Sequence, residues 1–298
     1  MLKIKEIDSK KSLIILVVSM VVVYYSIFLF FPLLYGIYGS LHNWDALLNE
    51  FDFIGLKNYI RLFNDPMFLP SFRNTFYLTA VVTIAVVIIG LTLAVAINSL
   101  NKFKGFYRTI YFLPVIVSLF AMSLVWKWMY DPTAGIFNSI LQIIGLPTLR
   151  WLRDDLLALP SIMVVTIWKN YGFAMVLFLA GLTGIPKHYI EASQIDGANK
   201  IQTFRYITLP LLKPTMAFVV VISLISYLQT FIQVYVMTKH GENQWASDGT
   251  STAVFMIYKQ SFIGSQFGYG SAIAVVLFIC ILVISIIQLR MMRTTWKY

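Results

Sequence analysis

The sequence predicts an all-α integral membrane protein with six transmembrane helices and both termini in the cytoplasm. The first observation is composition: 59% of the 298 residues are hydrophobic and 12% are charged, whereas a soluble domain carries about 25% charged residues. The second is a series of apolar runs, each of the length that a helix needs to cross a bilayer. The third is an uneven distribution of Lys and Arg between the connecting segments.

The predicted spans are the segments between clusters of charged side chains. They cover residues 13–35, 74–98, 109–130, 156–182, 214–236 and 269–289. The first run is longer than a signal-peptide apolar region and ends in Phe30-Phe31-Pro32 without a small-residue cleavage site. It is therefore predicted to be a retained helix.

The basic residues predict the orientation. The N-terminus, the second and fourth connections and the C-terminus hold 14 of the 23 Lys and Arg residues; the opposite connections hold 7, and Lys127 and Lys169 lie within spans. Basic residues collect on the cytoplasmic side of membrane proteins, so both termini are predicted to be cytoplasmic. The net charge of +10 is interpreted as a topology signal and not as a nucleic-acid site.

Several classes of chemistry are disfavoured by the residues present. The single cysteine, Cys280, and the scattered histidines predict no disulfide and no metal site. No acidic residue lies within a predicted span, which argues against a membrane-embedded enzyme and against a secondary transporter with coupling carboxylates. A phosphate-binding Gly-x-x-x-x-Gly-Lys-Ser/Thr loop is also missing. We therefore expect no catalytic residues and no bound cofactor.

The fourth connection, residues 184–214, has the most specific pattern. Pro186 suits the first turn of a helix over residues 187–196, and Gly197 suits a left-handed residue at its C-terminus. A second helix is predicted from Asn199 to Thr208, ended by Leu209-Pro210.

Residues of the first of these helices suit docking into another protein. Ala192 and Ser193 are small enough for a close approach, and Glu191 offers a charge to a basic partner. An ordinary amphipathic loop is the alternative that these physical features leave open.

The spacing of this connection resembles the "EAA" loop of bacterial ABC-transporter permeases. Glu191-Ala192-Ser193, then Gly197, then Ile207-x-Leu209-Pro210 keep every interval of that pattern, with Ser193 in place of the second alanine. Asp196, Gly197 and Ala198 belong to an Ile-Asp-Gly-Ala string typical of the carbohydrate branch. The outer segment from Phe53 is similar to that of permeases of the maltose and glycerol-phosphate type, in particular to the larger maltose permease. The segment Lys239-His240-Gly241-Glu242 departs from the Gly-Gly-Pro common there.

This resemblance implies the permease fold of a type I ABC importer in the bacterial inner membrane. Residues 1–72 would form the first helix and outer loop, residues 73–290 the permease core, and residues 291–298 a cytoplasmic tail. The implied partners are a second homologous permease, two ATPase subunits that bind ATP and Mg²⁺, an extracytoplasmic solute-binding protein and membrane lipid. The implied ATPase-coupling residues are Glu191, Ala192, Ser193, Asp196, Gly197 and Ala198. The implied solute is a carbohydrate, first of all an oligosaccharide.

Two groups of polar residues within spans are candidates for the solute pathway, because polar side chains in a membrane are costly and often functional. Trp168, Lys169, Asn170 and Tyr171 lie near the middle of the fourth span; Tyr227, Gln229, Thr230 and Gln233 lie in the fifth. Gln229 and Gln233 are predicted to share one helix face and to suit a hydroxyl-rich solute. Hydrogen bonding between helices is the alternative for both groups. A polyol or glycerol-phosphate ester is the alternative solute, and a phosphate ester would need convergent cations.

Overall fold

The computed structural model describes residues 2–45, 47–48, 50–239 and 249–292, with side chains described between residues 13 and 290. The two strands are β1 (His42–Asp45) and β2 (Glu50–Phe53). The α-helices are α1 (Leu2–Tyr25), α2 (Phe31–Gly39), α3 (Lys57–Asn64), α4 (Phe68–Ser99), α5 (Lys104–Ile116), α6 (Leu119–Met129), α7 (Ile136–Ile143), α8 (Ala158–Thr183), α9 (Lys187–Ile195), α10 (Lys200–Thr203), α11 (Leu209–Leu211), α12 (Lys213–Leu228), α13 (Ile232–Thr238), α14 (Ala253–Tyr258) and α15 (Phe267–Met292). Short π-helical turns occupy Ser26–Phe30, Phe204–Thr208 and Lys259–Ile263.

The chain divides into two compact units, one containing residues 1–65 and 257–277 and the other residues 66–256 and 278–298. Met291 and Met292 of the predicted tail continue α15, and residues 293–298 lie outside the described part of the chain. The departure from the family pattern at His240, Gly241 and Glu242 also lies outside it.

The first unit contains a β-hairpin that the sequence did not predict. Strands β1 and β2 pair antiparallel, with His42 opposite Phe53 and Asp45 opposite Glu50. The His42 ring is buried, contacts the Tyr38 carbonyl through Nδ1 at 2.8 Å and stacks on Phe51 at 4.4 Å between ring centroids. Asn58 of α3 donates to the carbonyl oxygens of Ser40 and His42 at 2.9 Å. These contacts make the connection between the first two spans an ordered structure.

The core of the second unit lies between α4 and α8. Leu78, Val82 and Val86 of α4 are buried in one apolar cluster with residues of α8 that include Ile162 and Phe178. A Cβ on Gly90 would lie 2.8 Å from the Ala174 Cβ and 3.0 Å from the Met175 nitrogen. Because only hydrogen occupies that position, the two backbones approach closely, as small residues allow in membrane helices.

Four of the expected spans are continuous apolar helices: Leu13–Gly39, Phe68–Ser99, Ala158–Thr183 and Phe267–Arg290. The apolar window of the first has no buried residues. An apolar helix exposed on all sides suits a surrounding that is itself apolar, which in a membrane protein is lipid or another helix.

The third expected span, residues 109–130, is not one continuous helix. The segment forms α5 and α6, whose axes are bent by 91° at Val117 and Ser118. Pro114 lies in the last turn of α5, where its missing N–H and its ring weaken the helix. The backbone then becomes extended at Val117, with ψ near 141°.

The fifth expected span, residues 214–236, is also interrupted. Helix α12 ends at Leu228, and α13 begins at Ile232 after a break at Gln229, Thr230 and Phe231. At the other end, Leu209-Pro210 does not end the preceding helix. A π-helical turn, in which the Leu209 N–H donates to the Phe204 carbonyl, leads into α11, and the 64° bend falls between Leu211 and Lys213. A π-turn shifts the hydrogen-bond register, so the helical backbone can continue past Pro210.

Candidate functional site

The connection over residues 184–214 contains the predicted pair of helices joined at a glycine. Helix α9 ends at Ile195, and Gly197 has φ of +79°, the left-handed conformation that glycine adopts without a Cβ penalty. The Ala198 N–H donates to the Ser193 carbonyl at 2.9 Å, which closes the turn. Asn199 then caps α10: its side chain accepts from the Gln202 N–H at 2.9 Å, and Gln202 Oε1 accepts from the Asn199 N–H at 2.8 Å. The C-terminal end of α9 and the N-terminal end of α10 are thus both determined by the local sequence.

The predicted coupling residues differ in their exposure to solvent. Glu191 and Ala192 are exposed on α9, and Asp196 and Gly197 are exposed at its end. Ser193 is buried: its hydroxyl donates to the Ile190 carbonyl at 2.7 Å and lies 3.0 Å from the Thr203 hydroxyl of α10. Ser193 therefore joins α9 to α10, and its side chain is not on the exposed surface. Ala198 is half-buried and borders a cavity of about 500 Å³ beside α9 and α10.

Lys169 is bound entirely by backbone of its own chain. Its Nζ donates to the carbonyl oxygens of Pro114, Val115 and Val117 at 2.8, 2.7 and 2.6 Å. These carbonyls belong to the C-terminal end of α5, where a helix has no internal donors left for them and attracts a cation. An ammonium group has three N–H donors, so Lys169 has none left for a solute in this conformation.

The neighbours of Lys169 also contact protein. Trp168 packs edge-on against Trp126 with 5.5 Å between ring centroids, and Tyr171 lies 6.4 Å from the Tyr111 ring. Asn170 donates to the Thr166 carbonyl at 2.7 Å within α8. A Cβ on the adjacent Gly172 would lie 2.1 Å from the Tyr111 carbonyl oxygen. This segment of α8 is thus a packing surface for α5 and α6.

The two glutamines of the fifth span do not share a helix face, because the chain breaks between them. Gln229 is exposed at the end of α12 and donates to the Ile225 carbonyl at 3.2 Å. Gln233 is buried in α13, and Thr230 and Tyr227 are buried on either side of Gln229. The Thr230 carbonyl accepts from Thr252 Oγ1 at 3.2 Å. A continuous helix would have been needed to bring the glutamines onto one side.

A turn after α6 is built around two polar side chains. Asp131 Oδ1 accepts from the N–H groups of Ala134 and Thr133 and from the Thr133 hydroxyl, at 2.7–2.9 Å. These hydrogen bonds, that of the Ala134 N–H foremost, hold the pKa of Asp131 below its ordinary value. Asn138 is buried and uses its whole amide: it donates to the Pro132 and Leu149 carbonyls and accepts from Leu149 N–H and Trp151 Nε1.

The structure brings together three cations that the sequence did not connect. Lys127, Arg153 and Lys239 line a cavity of about 570 Å³ between α6, α13 and the connection that precedes α8. They are separated in sequence by up to 112 residues, and no motif links them. Among the described residues, no group of His, Cys, Asp and Glu could hold a metal ion.

Comparison with solved structures shows which fold the chain shares. A subunit of a bacterial ABC transporter involved in the import of the acidic polysaccharide alginate superposes with a TM-score of 0.85 at 24% identity, covering 97% of this chain and 98% of that one. The fold is that of the permease of a type I ABC importer.

Sequence comparison gives the family. Residues 86–296 match the binding-protein-dependent transport system inner membrane component. A probable ABC transporter permease of Pyrococcus horikoshii is 36% identical, covering 87% of this chain and 88% of that protein. The multiple sugar-binding transport system permease MsmF of Streptococcus mutans is 32% identical, covering 90% of each. This chain belongs to the family of binding-protein-dependent transport permeases, and its apolar helices make it a membrane protein.

Proposed function

We propose that this chain is the permease subunit of an ABC importer for carbohydrate, most directly an oligosaccharide. It forms half of the pathway, with both termini in the cytoplasm of a bacterial cell, and residues 184–214 dock on ATPase subunits. The observation that supports the proposal best is the exposed Glu191-Ala192 face of α9, which is followed by a turn at Gly197. Glu191 makes no hydrogen bond or ion pair with any described residue, so its carboxylate is free for a partner.

The carbohydrate assignment rests on the name of a related permease and on an exposed amide side chain of this protein. MsmF is named as a permease for multiple sugars, and it spans nearly the whole chain. The described break at Gln229 and Thr230 leaves an exposed amide, and amides suit hydroxyl-rich solutes because they both donate and accept. The other components would be a second permease, two ATPase subunits that bind ATP and Mg²⁺, and an extracytoplasmic binding protein. ATP chemistry then belongs to those ATPases.

Uptake in cells tests this function. A strain that lacks only this chain is compared with the complemented strain for uptake of labelled maltotriose, raffinose, sorbitol and glycerol 3-phosphate. We expect loss of uptake of an oligosaccharide and no change for the polyol or the phosphate ester. Uptake should persist when a protonophore collapses the proton gradient and stop when ATP is depleted. Loss of sorbitol or glycerol 3-phosphate uptake alone would favour the alternative solute, and proton-driven uptake would contradict an ABC importer.

A further inference from the structure

Helix α7 turns isoleucine side chains away from the rest of the protein. Ile136, Ile140 and Ile143 recur at intervals of four and three residues, which places them on one face of the helix. Together with Ile144, directly after the helix, they are between 46% and 84% exposed, Ile143 most of all. A rigid apolar face of this kind marks a surface that meets another protein or a membrane.

The opposite face of α7 is fixed to the end of α6. The Phe137 ring lies 5.9 Å from the Trp126 ring and 4.9 Å from the Tyr130 ring, measured between ring centroids. Asn138 is buried, and its amide donates to the Pro132 carbonyl at 3.0 Å. The isoleucine face is therefore the one that the fold leaves outside, and it could turn inward only with loss of these contacts.

The depth of α7 in a bilayer follows from its attachment to α6. Trp128 is exposed in the last turn of α6, and exposed tryptophan is typical of the boundary between acyl chains and headgroups. Residues 130–135 alone separate the two helices. They form a compact turn, in which the Gly135 N–H donates to the Asp131 carbonyl at 3.1 Å. Helix α7 thus begins close to the same boundary.

One edge of the exposed part of α7 is polar. Ser139 and Gln142 are exposed beside the isoleucines, and Gln142 points about 100° away from Ile143 around the helix axis. Arg150 is exposed in the segment that follows the helix. A helix with an apolar face and a polar edge suits the plane of the headgroups, where the apolar side chains reach the acyl chains and the polar ones reach water.

A second protein is the alternative occupant of this face, and the size of α7 argues against it. Its eight residues make a helix about 12 Å long. A stable interface between proteins buries about 800 Å² on each partner, and four isoleucines alone fall short of that area. Lipid has no such minimum, because it surrounds every exposed apolar side chain at this depth.

We propose that α7 is a membrane-surface anchor whose isoleucine face lies among phospholipid acyl chains at the bilayer boundary. The face carries no charge, so the anchor takes phospholipids of either headgroup charge. It holds the turn around Asp131 and Asn138 at the membrane surface. This inference requires only that the chain is a membrane protein, and it is independent of the solute and the ATPase contacts proposed above.

Spin labels at neighbouring positions test the inference. In a Cys280→Ser background, Ile143→Cys places a label at the centre of the isoleucine face, and Gln142→Cys places one at the polar edge. The complete transporter is reconstituted in phospholipid nanodiscs, and relaxation of each label by oxygen, which dissolves in lipid, is compared with relaxation by a water-soluble nickel chelate. We expect the ratio of oxygen to nickel relaxation to be several-fold higher at position 143 than at position 142.

Further variants keep the result decisive. Arg150→Cys gives the ratio for a label in water, and position 142 should resemble it. Ile140→Cys, one turn earlier on the same face, should repeat the result of position 143 and replaces it if Ile143→Cys does not fold. A ratio at positions 140 and 143 equal to that at position 150 would overturn the inference, because the face would then lie in water. Labels there that neither reagent reaches would also overturn it, because another subunit would then cover the face.

Discussion

At the residue scale, Asn138 makes hydrogen bonds through both the nitrogen and the oxygen of its side-chain amide. It is 1% exposed, and its amide makes hydrogen bonds with Pro132, Leu149 and Trp151 at 2.9–3.1 Å. The turn after α6 and the chain that leads to α8 are therefore joined through one side chain. No sequence pattern pairs Asn138 with Leu149 or Trp151, which lie 11 and 13 positions away.

Replacement of Asn138 by alanine should destabilise this part of the protein. Two N–H groups and two carbonyls would lose their partner in a buried place, at a cost of about 2–4 kcal/mol in free energy of unfolding. The melting temperature in detergent measures this. Ser139→Ala is the matched control, since Ser139 makes only a 3.2 Å bond to the Gly135 carbonyl of its own helix. Equal melting temperatures for both variants would contradict the assigned role of Asn138.

At the element scale, the bend between α5 and α6 is stabilised by a side chain from α8. Lys169 satisfies carbonyls that the 91° bend leaves without helical partners. Gly172, one turn further along α8, permits the close approach of the Tyr111 backbone. The segment Trp168–Gly172 thus positions a broken helix, and three backbone acceptors offset the cost of a lysine within an apolar helix.

Lys169→Met and Lys169→Arg separate this role from solute binding. We expect Lys169→Met to lower stability in detergent by about 2–4 kcal/mol, because bent-helix carbonyls lose their donor, whereas Lys169→Arg retains a cation and should lose less. Thermal unfolding and the KM of uptake are measured for both variants. A raised KM in Lys169→Met with unchanged unfolding would instead assign Lys169 to the solute pathway.

Helix existence could be predicted from the sequence, but the break within the fifth span could not. Apolar length and charge gaps are local properties, and they identified the spans around α4, α8 and α15. The break at Gln229 has no proline or glycine beside it, so hydropathy runs through it unchanged. The turn at Gly197 was predictable because a left-handed residue favours glycine. The burial of Ser193 against Thr203 and the cation-lined cavity depend on tertiary packing and have no sequence signal.

At the scale of the whole molecule, the predicted orientation follows from the distribution of basic residues and is open to a labelling test. In a Cys280→Ser background, Arg150→Cys and Ile201→Cys each provide a single exposed thiol, since Cys280 is the only native cysteine. With a membrane-impermeant maleimide on intact spheroplasts, we expect Arg150→Cys to react and Ile201→Cys to react only after permeabilisation. The reverse pattern would show that both termini lie outside.

The fold and the family membership make the chain one subunit of a larger transporter. We propose that the exposed face of α9 is the surface through which the energy of ATP hydrolysis reaches this subunit. This central claim is tested by solute-stimulated ATPase activity and uptake in proteoliposomes that contain the complete transporter. Glu191→Arg inverts the exposed charge. Gly197→Pro imposes a φ near −65° where the structure has +79°. Asp52→Arg, an inversion at another exposed carboxylate, in the first connection, is the control.

We predict that Glu191→Arg and Gly197→Pro insert and assemble normally but lose uptake and stimulation of the ATPase by about tenfold or more, as expected when a central interface contact is replaced. Asp52→Arg should behave like the unaltered protein. Full uptake and full ATPase stimulation in both loop variants would contradict the account.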